Sequence, residues 1–196
     1  MIKAAFQGIE GAFSEDAALD FFGTIETLPC HRFKDVFEAV LNDAAGYGIA
    51  PIENSLAGSI NETYDLLLAY PLTIYGEVNL RVHHCLVALP GATLDGIKKI
   101  FSHPQALAQC DDFIDTLDVE TVPSYDTAGS ARKIKEDGIR SNAAIASERA
   151  AHIYGLTILA SGIESRSYNY TRFFIISKDM PERASKNKTS LVFATR

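Results

Sequence analysis

An amide, a hydroxyl and a guanidinium stand together at Asn169, Thr171 and Arg172, directly ahead of the apolar, β-forming run from Phe173 to Ile176. Such groups donate hydrogen bonds to hydroxyl and carboxylate oxygens, and Arg meets a carboxylate as a two-pronged fork. Strand alternation puts Thr171 and Phe173 on one face and Arg172 and Phe174 on the other. Thr171 and Arg172 therefore reach one pocket only if the strand is bent or bulged. Two readings of Arg172 stand: carboxylate recognition, or a structural ion pair with Glu53 or Glu164.

Four further polar clusters precede this one. Gly8-Ile9-Glu10-Gly11-Ala12-Phe13-Ser14 lies between a strand and a helix. Its glycines allow a tight turn, and a helix start offers free N–H groups to an anion; Ser14 serves equally as a plain N-cap. In Pro51-Ile52-Glu53-Asn54-Ser55-Leu56-Ala57-Gly58-Ser59, Asn54 and Ser55 can donate to carboxylate or carbonyl oxygens, while Glu53 orients a donor or pairs with a cation. Ser102-His103-Pro104-Gln105 carries a Ser-x-x-Gln capping box with Pro in the first helical turn, so Ser102 and Gln105 read as caps or as cleft donors. Thr127, in Tyr125-Asp126-Thr127-Ala128-Gly129, is again cap or donor. His103 reads as structural. His83 and His84 point to opposite faces of a strand, and no carboxylate or Cys completes a ligand set, so no metal is expected. No dinucleotide fingerprint or Walker loop is present.

Short β-branched runs alternating with helical patterns must position these groups. Strands are predicted at Ile2–Phe6, Tyr47–Pro51, Ile100–Phe101, Val119–Val122, Ala143–Ala146 and Thr171–Ser177, with extended chain over Leu72–Leu89. Helices are predicted at Ser14–Phe22, Asp35–Leu41, Ile60–Leu68 (capping box Ser59 and Glu62), Pro104–Leu117, Thr127–Glu136 and Glu148–Tyr154. This is α/β alternation in two blocks, which suits two lobes with ligand in the cleft between them. Lys178–Lys188 has linker composition, and Thr189–Thr195 reads as the first strand of a further domain.

The 196 residues carry a net charge of −7 and 47% hydrophobic side chains, with Lys and Arg scattered. That disfavours nucleic acid as a partner. The separated Cys30, Cys85 and Cys110 read as reduced thiols, and no signal peptide or membrane span is evident, so a cytoplasmic location is expected.

Gly8…Gly11-Ala12-Phe13-Ser14-Glu15, Pro51-Ile52-Glu53-Asn54-Ser55…Gly58-Ser59, Ser102-His103-Pro104-Gln105-Ala106-Leu107 and Asn169-x-Thr171-Arg172-Phe173, in this order, resemble the prephenate dehydratase family and its plant-type relative, arogenate dehydratase. The resemblance covers nearly the whole chain. It implies two lobes like a type II periplasmic binding protein, each a mixed sheet flanked by helices. Lobe one would be about 1–80 plus 163–177, lobe two about 81–162, then a linker at 178–188 and the first strand of a phenylalanine-binding ACT domain at 189–196. It implies decarboxylating dehydration of prephenate to phenylpyruvate, or of arogenate to phenylalanine, without metal or cofactor. Thr171 would assist the leaving hydroxyl, and Ser14, Asn54, Ser55, Ser102, Gln105, Thr127, Arg172 and Phe173 would bind substrate. Homodimers or homotetramers are common in the family, and phenylalanine acts only through a complete regulatory domain. Many members carry Pro at Ile9 and Thr at Ala12. A non-catalytic module binding small anions would need only the donors.

Overall fold

The computed structural model describes residues 3–182, 188 and 189. The chain begins with β1 (Lys3–Gln7), α1 (Phe13–Phe22), β2 (Glu26–Cys30), α2 (Phe33–Leu41), β3 (Tyr47–Asn54), β4 (Gly58–Ser59), α3 (Asn61–Ala69) and β5 (Thr73–Arg81). It crosses into β6 (Cys85–Ala88), β7 (Lys99–Ser102), α4 (Pro104–Gln109), α5 (Asp111–Ile114), β8 (Glu120–Pro123), α6 (Thr127–Asp137), β9 (Asn142–Ala146), α7 (Glu148–Tyr154) and β10 (Thr157–Ser161), and returns as β11 (Tyr170–Ser177).

Two mixed sheets result, ordered β2-β1-β3-β11-β5, with β4 on β3, and β10-β6-β9-β7-β8. β1, β2 and β3 are parallel, while β11 runs antiparallel to β3 and β5. In the second sheet β7, β8 and β9 are parallel, and β6 runs antiparallel to β9 and β10. The first sheet draws on both ends of the described chain and the second on its middle, so the chain passes between lobes twice. This is the expected two-lobed α/β architecture.

Composition explains the layering. β9 (Asn-Ala-Ala-Ile-Ala) is buried throughout, and its small side chains let α6 lie close with Ala128, Ala131 and Ile134 inward. Burying a side chain such as Ile134 contributes roughly 1.5–3 kcal/mol. The same apolar cluster joins Phe6, Ile49 and Phe173 of the first sheet to Val87, Phe101 and Ala144 of the second.

Several local expectations are corrected. Ser59 does not cap α3: its backbone pairs with Glu53 in β4, and Ile60 is the N-cap, with no side-chain cap. The predicted helix over 104–117 breaks at Cys110, where the Gln109 carbonyl accepts from Ser165 N instead of continuing the helix. The edge strands β2 and β10 were not anticipated. The linker over 178–188 is described only in part, and the strand expected at 189–196 lies, beyond Thr189, outside the described residues. Among the described residues no helix is long and apolar enough to cross a membrane.

Candidate active site

A cavity of about 370 Å³ lies between the lobes, within the size range of small-ligand clefts. It sits beyond the carboxyl ends of the parallel strands, where open α/β sheets bind ligands. The first lobe supplies Gln7 and Gly8 after β1, Ala12, Phe13 and Ser14 at the start of α1, Asn54 at the end of β3 and Thr171 near the head of β11. The second supplies His103 and Gln105 where α4 begins, Gln109 where it ends, and Asp126 and Thr127 where α6 begins. His84 reaches the wall from the crossing between β5 and β6.

Thr171, Asn54, Ser14, Gln105 and Thr127 are thus brought together, but not in every expected way. Ser14 is not a cap, because α1 starts at Phe13 behind Ala12. Thr127 is the first residue of α6, whose cap is the Asp126 carboxylate accepting from Gly129 N. His103, not Ser102, caps α4: its Nδ1 accepts from Gln105 N at 3.2 Å. Ala12 lines the cavity without a hydroxyl.

Ser55, Ser102, Arg172 and Phe173 do not line this cavity, and each has a structural partner. Ser55 Oγ donates to the Tyr168 carbonyl at 2.6 Å and accepts from Tyr170 N at 2.9 Å, tying its loop to β11. Ser102 Oγ donates to the Ile145 carbonyl at 2.7 Å, pinning β7 to β9. Phe173 is a core side chain. Arg172 Nε donates to Glu77 at 2.9 Å and Nη1 to Glu53 at 3.3 Å, with the guanidinium over the Phe174 ring. Glu164, the other partner considered, pairs with Arg81 and His83. A bulge does occur beside Arg172, but it lies in β3, where Ile52 is the extra residue. β11 continues its register with β5 there, so Thr171 and Arg172 stay on opposite faces.

Thr171 is held by a file of amides. Asn54 Oδ1 accepts from the backbone N–H of Leu56 and of Ala57, both at 3.0 Å. Its Nδ2 therefore faces Thr171 Oγ1 at 3.0 Å and Asn169 Oδ1 at 2.8 Å. The Thr171 oxygen accepts from Asn54, which leaves its own proton for another acceptor. Asn169, fully buried, donates from Nδ2 to Gln109 Oε1 at 2.9 Å. That oxygen also meets His84 Nε2 at 2.9 Å. The file thus crosses from the first lobe to the second.

No Lys or Arg lines the cavity among the described residues. Positive potential comes instead from the starts of α1 and α6, whose first N–H groups have no carbonyl within the helix. Burial pushes the His84 and His103 imidazoles below their ordinary value. Neutral donors and helix starts in a partly desolvated cleft suit a small anion carrying a hydroxyl. Asn169 drew attention in the sequence without an assigned role, and Gln109 and His84 were missed. Gln109 was within reach: it falls one helical turn after Gln105.

Residues 4–181 match the family described as prephenate dehydratase. The chain is 45% identical over 197 residues to the chloroplastic arogenate dehydratase 3 of Arabidopsis thaliana, covering 98% of this chain and 46% of that protein. It thus spans about half the length of the curated relatives it matches. A prephenate dehydratase from Arthrobacter aurescens, solved with L-Phe, aligns with a TM-score of 0.86 at 32% identity, over 93% of this chain and 63% of that one. GqqA, described as a quorum-quenching acylase, aligns with a TM-score of 0.84 at 37% identity, over 96% of this chain and 67% of that one.

Proposed function

Because the chain belongs to the prephenate dehydratase family, we propose that it converts prephenate to phenylpyruvate, with Thr171 assisting departure of the ring hydroxyl. The bonding pair of the breaking C–CO2 bond moves into the ring as the ring C–O bond breaks. Carbon dioxide leaves, hydroxide takes up a proton to become water, and the ring becomes aromatic. The electrons balance within the substrate, so the step needs no external oxidant or reductant.

The observation that carries this reading is the hydrogen bond from Asn54 to Thr171 Oγ1. It turns a weakly acidic hydroxyl into an oriented donor toward the developing hydroxide. Ser14, Gln105, Thr127 and the starts of α1 and α6 are the proposed carboxylate ligands. Arogenate, with an amino group in place of the keto oxygen, is the second candidate substrate, supported by the plant relative's name. Phenylalanine enters as an effector only through a complete regulatory domain. A homodimer or homotetramer in the cytoplasm, with lobes of about 1–80 plus 163–177 and 81–162 closing on the ligand, completes the proposal; the plant relative is chloroplastic by name.

Side-by-side kcat/KM on prephenate and arogenate tests it, together with Thr171→Val, which keeps the shape and removes the hydroxyl. The variant is expected to lose about a hundredfold or more in kcat with KM little changed. Wild-type-like kcat in the variant overturns the role of Thr171. Binding without turnover by the unaltered protein returns the reading to an anion-binding module.

A further inference from the structure

We propose that His84 is a substrate-contacting residue whose Nδ1 accepts a hydrogen bond from an O–H or N–H of the ligand. The proposal rests on the dehydratase reading and adds a contact to the same cavity. It follows from the direction in which the amide file must run. Two backbone N–H groups fix Asn54 Oδ1, so Nδ2 must face Asn169 Oδ1. Asn169 Nδ2 then faces Gln109, whose Oε1 must receive both Asn169 Nδ2 and His84 Nε2. A carbonyl oxygen only accepts, so Nε2 carries the proton.

Nδ1 is left as a bare lone pair or as the N–H of an imidazolium. It is buried and has no partner among the described residues, and His84 as a whole is 2% exposed. An imidazolium with a buried, unpaired N–H is far costlier than an unpaired lone pair. The ring is therefore neutral, with Nδ1 as acceptor. His103, the other imidazole at the wall, differs in that its Nδ1 already accepts from Gln105 N. The file thus ends at the cavity with a donor, the Thr171 hydroxyl, and an acceptor, His84 Nδ1. Prephenate and arogenate share one donor, the ring hydroxyl, and arogenate adds an ammonium.

His84→Gln tests the contact, because a Gln amide can reach the Nε2 position and keep the bond to Gln109 while removing the Nδ1 acceptor. His84→Asn does the reverse. Expected for His84→Gln is a fall of about ten- to hundredfold in kcat/KM, with Asn retaining more activity than Gln. Equal loss on both substrates identifies the ring hydroxyl as the donor; loss on arogenate alone identifies the ammonium. Unchanged kcat/KM on both overturns the proposal and leaves the dehydratase reading intact. Conversion of neither substrate by the unaltered protein overturns both. Should either variant fail to fold, ¹⁵N NMR of His84 decides, recorded with and without prephenate on the Thr171→Val protein. A bare Nδ1 that shifts on prephenate addition supports the contact. A protonated Nδ1, or one unmoved by prephenate, overturns it.

Discussion

Arg172 adjoins Thr171 and yet serves the other face of β11. Its fork is occupied by Glu77 and Glu53, so it joins the neighbouring strands β5 and β3 across β11. A Lys ammonium could not hold both carboxylates and stack on Phe174 with the same geometry. Arg172→Lys is expected to cost about 1–2 kcal/mol of stability, leaving KM and kcat within roughly twofold of the unaltered protein. Thermal melting beside steady-state kinetics checks this; a raised KM at unchanged melting temperature would restore the carboxylate-binding role. The alternation Thr171-Arg172-Phe173-Phe174 was enough to separate the two residues by face. Which face met the ligand was not legible, because that depends on Glu77, which lies 95 positions away.

At the scale of elements, α7 shows where local signals suffice. Ser147 caps it by accepting from Ala150 N, and Gly155 ends it at φ 64°. The same type of pattern misled at Ser59 and Ser102, where one residue pairs in β4 and the other's hydroxyl is taken by Ile145. Capping competes with tertiary partners that a linear pattern does not reveal. The edge strand β2, interrupted by Pro29, escaped for want of an apolar period. The start of α1 carries a further consequence. Asp16 lies where the helix dipole favours a carboxylate, but burial raises its pKa from 3.8 to about 6, against the lowering by Arg149 and with Glu15 adding to the rise. A raised carboxyl contributes stability that is present below pH 3.8 and lost as pH climbs through about 6. Asp16→Asn is expected to gain on the unaltered protein between pH 4.5 and pH 7.5, by up to about 3 kcal/mol. Urea denaturation at both pH values measures it. An equal difference at the two would mean that Asp16 titrates normally.

At the scale of the whole molecule, the donor and acceptor ends of the amide file can act together only if the lobes hold their present approach. That approach is closest at Gly11, where Ser147 Oγ donates to the Gly11 carbonyl at 2.7 Å and Tyr154 Oη to the Glu10 carbonyl at 2.8 Å. Across the cavity mouth Tyr125 Oη donates to the His31 carbonyl at 2.8 Å, and the two rings stack. Gly11 has φ +90°, and a Cβ there would stand 2.9 Å from Ala150 Cα, which is backbone and cannot rotate aside. Gly11→Ala must therefore strain the turn and push α7 away. Gly138→Ala is the control, since Gly138 has φ +68° with nothing within 4 Å of the added carbon. The control is expected to cost about 1 kcal/mol and leave kcat/KM unchanged. Gly11→Ala is expected to cost more stability and to lower kcat/KM at least about tenfold, because a displacement near 1 Å in the bridge from Asn169 to Gln109 misplaces both ends of the file. Equal behaviour of the two variants would mean that the approach of the lobes at Gly11 does not set the geometry at Thr171.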